Sequence, residues 1–384
     1  MGGIRWSGGI RWALRGAIAV ALAVTVLVVF SGCEEAGTTD DGGDNGDNGD
    51  DPGAVTLEDG DSWRLIGLGI DDESTWFSVI DSTVAGAEID ITMTAISDQD
   101  PPAGSTDTGD FTEDADNVVT FMGGDSIGRL NTLGTTFAIR GSDLEDDYGE
   151  LMVGVRNGSG LDDSTMSGTY WVAIVYADTD YASVYFTATM DLEVASPGLF
   201  RTSNPVSDMD FDGYITDPDT MEYEIASDGF FTMPEGEEVY GIVREDGELF
   251  TLGEIYGTPA EPDNTQKTLM YGIQLQSGAS GDLLAGTWDV CASCVGEAPD
   301  SWGEHGGEMV LDSIGVGTLI DSNGTEMPVA LDLNDDGTFT FTLDGEAFEL
   351  HGAITPSGDT ALIVSPAIHP EDEEYCIVVA IKEP

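Results

Sequence analysis

From residue 57 to the C-terminus, apolar side chains recur at every second position, and that period decides the secondary structure. Val184, Phe186, Ala188, Met190, Leu192 and Val194 alternate with Tyr185, Thr187, Thr189, Asp191 and Glu193. Met221, Tyr223 and Ile225 alternate with Glu222 and Glu224, and Phe339, Phe341 and Leu343 with Thr338, Thr340 and Thr342. Successive side chains of a strand point to opposite faces, so the pattern predicts half-buried antiparallel strands. Asp228-Gly229, Asp246-Gly247, Asn323-Gly324, Asp336-Gly337 and Asp344-Gly345 separate them, and such dipeptides suit hairpin turns because glycine accepts positive φ. No stretch after residue 55 carries a helical period. The 51 glycines fit a turn-dense, all-β chain, and 40% apolar residues are enough for a sizeable core.

An internal repeat divides this region. Leu151-Met-Val-Gly-Val-Arg is followed seventeen residues after Leu151 by Gly168-Thr-Tyr-Trp, and Leu269-Met-Tyr-Gly-Ile-Gln is followed at the same spacing by Gly286-Thr-Trp. Ser227-Asp-Gly-Phe-Phe matches Asp335-Asp-Gly-Thr-Phe, and Gly241-Ile-Val…Gly247 matches Gly352-Ala-Ile…Gly358. Gly60-Asp-Ser-Trp63 opens the first of three units, spanning 57–160, 161–278 and 279–384. Each has room for seven or eight strands, enough for one small closed barrel. Three antiparallel meander barrels or sandwiches in tandem are therefore expected, with a six-bladed β-propeller of two blades per unit as the alternative. The openings at Trp63, Trp171 and Trp288 are similar to the first strand of calycin-type barrels, the lipocalin and avidin group. That resemblance implies a possible calyx with these tryptophans as ligand platforms, although a first-strand Trp also serves simply as core.

The N-terminus reads as an export signal. Arg5, Arg11 and Arg15 precede an uncharged apolar run from Gly16 to Phe30, too short for a comfortable membrane span, and Ser31-Gly32-Cys33 follows. Val29-Phe30-Ser31-Gly32-Cys33 resembles the lipobox of bacterial lipoproteins, with Phe30 in place of the usual Leu. The resemblance implies a signal peptide over 1–32 and a lipidated Cys33 as the first mature residue. Glu34 at the second mature position favours the outer membrane. Residues 33–56 are nearly all Glu, Asp, Gly, Asn and Thr, a composition that cannot repay its ordering entropy and predicts a disordered acidic tether.

Charge narrows the partners. The chain has 74 Asp and Glu against 11 Lys and Arg, a formal charge of −63, which excludes nucleic acid and an anionic lipid surface as natural partners. Loss of residues 1–32 leaves 8 basic against the same 74 acidic side chains. Such an excess needs counterions to screen its self-repulsion, as in proteins from saline habitats, or divalent cations.

Several residue groups are candidate sites. Asp208, Asp210 and Asp212, Gly213, the Tyr214 carbonyl and Asp219 fit the spacing of a twelve-position Ca²⁺ loop, with strand flanks and Asp in place of the terminal Glu. Asp332-Leu-Asn-Asp-Asp-Gly337 has a similar start but reads as a hairpin turn. Cys291, Cys294 and Cys376 are disulfide candidates in an oxidising compartment: Cys291 with Cys376 would close a barrel, and Cys291 with Cys294 is the other pairing. A zinc site with His305 is a further use of the same thiols. Gly124-Asp-Ser-Ile-Gly128 has the form of a nucleophile elbow around Ser126 but lacks a helical context or a nearby His, and Asp312-Ser-Ile-Gly315 looks like its repeat. No catalytic residue and no organic cofactor are therefore expected. The reading is a membrane-anchored acidic lipoprotein with a non-enzymatic binding or envelope-structural role, its protein or small-molecule partner unspecified. The alternatives are small-molecule capture in a calyx and, third, a hydrolase.

Overall fold

The structure, a computed structural model, describes residues 56–383 apart from 71–74, 97–102, 115–116, 122–125, 144–147, 179–183, 207–219, 235–237, 257–265, 296–304, 322–323, 344–349 and 365–374. The expected alternation resolves into three consecutive antiparallel meanders. The first comprises β1 (Ser62–Ile70), β2 (Thr75–Ala85), β3 (Glu88–Ile96), β4 (Thr106–Glu113), β5 (Val118–Phe121), β6 (Ser126–Leu130), β7 (Thr136–Asp143) and β8 (Tyr148–Arg156), closed by β1 pairing β8. The third comprises β18 (Gly286–Val295), β19 (His305–Leu311), β20 (Val316–Asp321), β21 (Glu326–Leu333), β22 (Thr338–Leu343), β23 (Leu350–Ile354), β24 (Thr360–Val364) and β25 (Tyr375–Lys382), closed by β18 pairing β25.

The middle sheet closes by another route. It runs through β9 (Thr169–Asp178), β10 (Val184–Ser196), β11 (Leu199–Val206), β12 (Thr220–Glu222), β13 (Glu224–Ile225), β14 (Phe230–Thr232), β15 (Glu238–Val243), β16 (Leu249–Tyr256) and β17 (Gln266–Gln274), with β9 pairing β17. Its two edges, β12 and β13, are separated only by Tyr223, so they are two halves of one kinked strand and the chain itself joins the edges. Eight-stranded closure in every unit replaces the four-stranded blades that a propeller requires.

Each barrel has an apolar interior. Trp63, Leu65, Phe121, Phe137, Ile139 and Met152 fill the first, Tyr170, Phe200, Tyr223, Phe231 and Phe250 the second, and Trp288, Leu331, Phe339, Phe341 and Ile363 the third. A bulky ring in each lies across a glycine on the neighbouring strand: Phe137 on Gly154, Phe250 on Gly272, and Phe339 on Gly352, each pair being direct cross-strand partners. A Cβ at those glycines would come within 2.4 Å of the ring, or 2.0 Å at Gly272, so glycine is what lets the ring lie down. Just before the first strand of each barrel, Leu57, Met166 or Leu284 is buried against that interior.

The barrels are not separate beads. A fourth cluster of buried residues draws on the outward faces of all three: Ile66, Val79, Leu151, Val153 and Val155 from the first, Trp171, Val175, Leu269, Tyr271 and Ile273 from the second, and Cys291, Leu362, Val364, Ile377 and Val379 from the third. Seventh and eighth strands of one barrel contact first, second and eighth strands of the next, β7 and β8 against β18 and β25, β24 and β25 against β9, β10 and β17, and β16 against β1, β2 and β8. Strands that meet this core are buried on both faces, which is why β24 reads as the uninterrupted run Thr-Ala-Leu-Ile-Val and is buried at every residue. The segments outside the described residues between 56 and 383, leaving aside 115–116, carry 29 Asp or Glu and no Lys or Arg in sequence.

Candidate functional site

The most deeply buried polar side chains gather where the barrels meet, at three equivalent turns. Segments 131–136, 244–249 and 355–360 join the sixth strand to the seventh in each barrel. In all three the first N–H bonds the sixth carbonyl, at 2.8, 2.8 and 2.9 Å, and the fourth residue is Gly134, Gly247 or Gly358 with φ of 64°, 76° and 73°. Six residues before each stands Gly128, Gly241 or Gly352. The Gly-x₅-Gly match seen between units two and three thus extends to unit one, whereas Asp312–Gly315 is the β19–β20 turn and has no such counterpart at Ser126, which opens β6.

One carboxylate ties the three turns together. Asp359 Oδ2 accepts from Asn131 Nδ2 at 2.7 Å, and Oδ1 accepts from Arg244 Nη1 at 3.0 Å and Thr355 Oγ1 at 2.9 Å. Arg244 is fully buried, and its remaining donors reach Asp246 at 2.9 Å, Glu248 at 2.8 Å and Ser357 Oγ at 3.1 Å. Burial opposes ionisation of Asp359, but the adjacent guanidinium and the hydrogen bonds outweigh it and hold the carboxyl below its ordinary value of 3.8. Burial likewise opposes the charge on Arg244, and Asp359 and Asp246 more than offset it. Every donor of this guanidinium is engaged, so the node locks the barrels and offers nothing to a substrate.

Two further buried arginines lock the remaining contacts. Arg64 makes a bidentate pair with Asp81 at 2.7 and 2.9 Å in the first barrel, lies 3.6 Å above the Phe230 ring of the second, and donates to the Gly241 carbonyl at 3.4 Å. Nearby, Tyr271 Oη donates to the Ile66 carbonyl at 3.1 Å. Arg129 reaches Glu383 at 2.8 Å and Asp289 at 3.8 Å in the third barrel. Burial raises the Asp289 carboxyl, and Arg129 and Arg140 only partly counter it. The charges that the sequence makes scarce are thus spent between barrels: Arg64, Arg129 and Arg244 are 6%, 7% and 0% exposed. No sequence motif surrounds these arginines, so their number is legible in residue order but their place is not.

A polar groove of about 420 Å³ opens where 60–62, 156–159 and Glu245 approach one another. Arg156 sits 3.8 Å from Asp61 there, which makes the lining a mixture of signs with no single preferred ligand charge.

The other predicted sites divide clearly. Cys33 and the Ca²⁺ loop residues Asp208, Asp210, Asp212, Tyr214 and Asp219 lie outside the described residues. Trp63 and Trp288 are inside the first and third barrels at 1% exposure, where Trp63 meets Phe137 edge-on and Trp288 Nε1 donates to the Leu284 carbonyl. Trp171 faces the shared core instead, and Tyr170 takes the interior position, because the second unit carries its aromatic one residue earlier than the Trp suggested. Cys291 is a free, fully buried thiol in the shared core, opposite Val379 rather than Cys376. A free Cys291 departs from the expected Cys291 pairings, while the side chains of Cys294, His305 and Cys376, and with them the zinc arrangement, lie outside the described residues. Ser126 is followed by strand residues, not by the helix an elbow requires.

No protein-family model matches the chain, and no curated protein matches it in sequence. Among solved structures it is similar to a protein of unknown function from the DUF3598 family of Nostoc punctiforme, at 10% identity over 57% of this chain and 96% of that one, with a TM-score of 0.20. Intact Ap-TbpB, with its N and C lobes, matches at 10% identity over 84% and 76%, TM-score 0.27. Transferrin Binding Protein B from Haemophilus parasuis matches at 12% over 84% and 63%, TM-score 0.28.

Proposed function

We propose that the protein is an exported lipoprotein, held at the outer membrane through Cys33, whose three-barrel body is a non-enzymatic binding or envelope-structural module acting through its exterior. The observation that carries this reading is the use of both sheet faces for packing. The barrel interiors are occupied by side chains such as Trp63, Tyr223 and Trp288, and the apolar outward faces meet in one shared core. With the buried arginines paired inside, the exterior is left strongly anionic, which suits counterions or a partner of basic surface. The acidic tether over 33–56 would hold such a body away from the membrane. The Asp208–Asp219 segment is a proposed Ca²⁺ loop, on the strength of its sequence spacing.

Mass spectrometry of the mature N-terminus tests the anchor: a diacylated or triacylated Cys33 is expected, with Cys33→Ser released from the membrane fraction. An unmodified, retained chain would end the reading. For the cation loop, Ca²⁺ should raise the thermal midpoint more than Mg²⁺ does, and Asp210→Ala should erase the difference. Equal responses to the two ions would refute it.

A further inference from the structure

We infer that Cys294 and Cys376 form a disulfide that staples the closing seam of the third barrel, and that Cys291 stays a thiol. The inference rests on backbone register. β18 and β25 pair without interruption from Trp288↔Lys382 to Val295↔Tyr375, and within that ladder Cys294 stands directly opposite Cys376. Directly opposed residues of an antiparallel pair share one face, with Cα atoms about 4.5 to 5.5 Å apart, inside the range of about 4.4 to 6.8 Å that a disulfide spans. Cys291 has no such partner. It is opposite Val379, is 1% exposed, and packs with Ile377 and Ile381 in the shared core, where burial raises its thiol well above the ordinary range and keeps it protonated.

The location supplies a reason for a covalent link. Cys294 and Cys376 are each one residue from the end of the seam, and the ladder runs out there into two chain segments. Glu297, Asp300 and Glu304 follow β18, and Glu371, Asp372, Glu373 and Glu374 precede β25. In sequence, seven carboxylates and no Lys or Arg thus flank the end of the seam, where a covalent link would hold the first and last strands of the barrel paired. A bridge would also close the long loop between the two residues and so lower the conformational entropy of the unfolded chain.

The chemistry is thiol–disulfide exchange with a small disulfide oxidant. One thiolate attacks the oxidant and expels a thiolate, and the second cysteine displaces the remaining half. The S–S bond forms, the two cysteine protons pass to solvent or to the released thiols, and the oxidant is reduced to two thiols. In the cell this step depends on the export proposed above, so the test is made on the purified full chain. The chain is incubated with oxidised glutathione, alkylated without reduction, denatured, alkylated with a second reagent, digested and analysed by mass spectrometry. The expected result is one cross-linked peptide pair joining Cys294 to Cys376, with Cys291 labelled only after denaturation. Reduction should lower the thermal midpoint of the parent by roughly 5 °C or more and leave that of Cys294→Ser/Cys376→Ser unchanged. A bridge that includes Cys291, or free Cys294 and Cys376 after incubation, would overturn the inference. If the bridge forms in vitro while cell-derived protein is reduced and unacylated, export fails and the pairing stands.

Discussion

Asn117 is the one non-glycine residue at positive φ among the described residues, at 61°. Its counterparts in the other barrels are Gly229 and Gly337 at 94° and 90°, and all three carbonyls accept the same bond, from Leu130, Val243 or Ile354. Asn tolerates this region better than most residues, but its amide is buried and both polar atoms lack hydrogen-bond partners. Asn117→Gly is therefore expected to raise unfolding free energy by about 1 kcal/mol in urea titrations, relief of strain and desolvation exceeding the entropy cost of glycine. Asp359 works in the opposite direction. Asp359→Ala should cost about 3–5 kcal/mol because it leaves Arg244 buried without its main counter-charge, while Arg244→Met/Asp359→Leu should cost less than either single change. The pH dependence follows from the sign of the shift. A carboxyl held below its ordinary 3.8 when folded adds stability that is present above that value and is lost as pH falls through the folded one. Asp359→Asn should thus be less stable at neutral pH and show a flatter decline from about pH 5 to about pH 2.

At the scale of elements, glycines fix how closely strands approach. Gly253 on β16 receives Phe77 of β2 across the boundary between the first two barrels, and a Cβ there would fall 1.6 Å from the ring. Gly253→Ala should lower stability by about 1–3 kcal/mol, and Phe77→Leu in the same chain should recover part of the loss, as read by thermal or denaturant unfolding. The alternating strands and the Asp-Gly turns at Gly229, Gly247 and Gly337 were legible from residue order, since period two and positive φ are local properties. The repeat-marking run Leu151-Met-Val-Gly-Val is a strand buried on both faces, with Met152 turned into the barrel and Leu151, Val153 and Val155 into the shared core.

For the molecule as a whole, a shared core makes independent unfolding of the barrels costly, because each would expose Leu269, Val153 or Val379 and its neighbours to water. We expect a single calorimetric transition with equal van't Hoff and calorimetric enthalpies; three resolved transitions would mean the barrels behave as beads. Residues 57–160 expressed alone should be aggregation-prone through the uncovered faces of β1, β7 and β8. The charge excess sets a second whole-molecule expectation. With most of 74 carboxylates unmatched, the midpoint should rise by several degrees between about 0.1 M and 2 M KCl.

Residue order by itself determined the strands, their turns and the threefold repetition, because each depends on neighbours within a few positions. It also showed how few positive charges this chain has. Where those charges stand was decided by tertiary structure. Arg244, Asn131 and Asp359 are separated by more than a hundred residues and meet only because three barrels turn the same hairpin toward one point. The same holds for Trp171 and Cys291. Alternation says that a strand has two faces, but which face looks into its own barrel and which into its neighbours follows from how closed sheets pack, a contact between distant parts of the chain that no local period encodes.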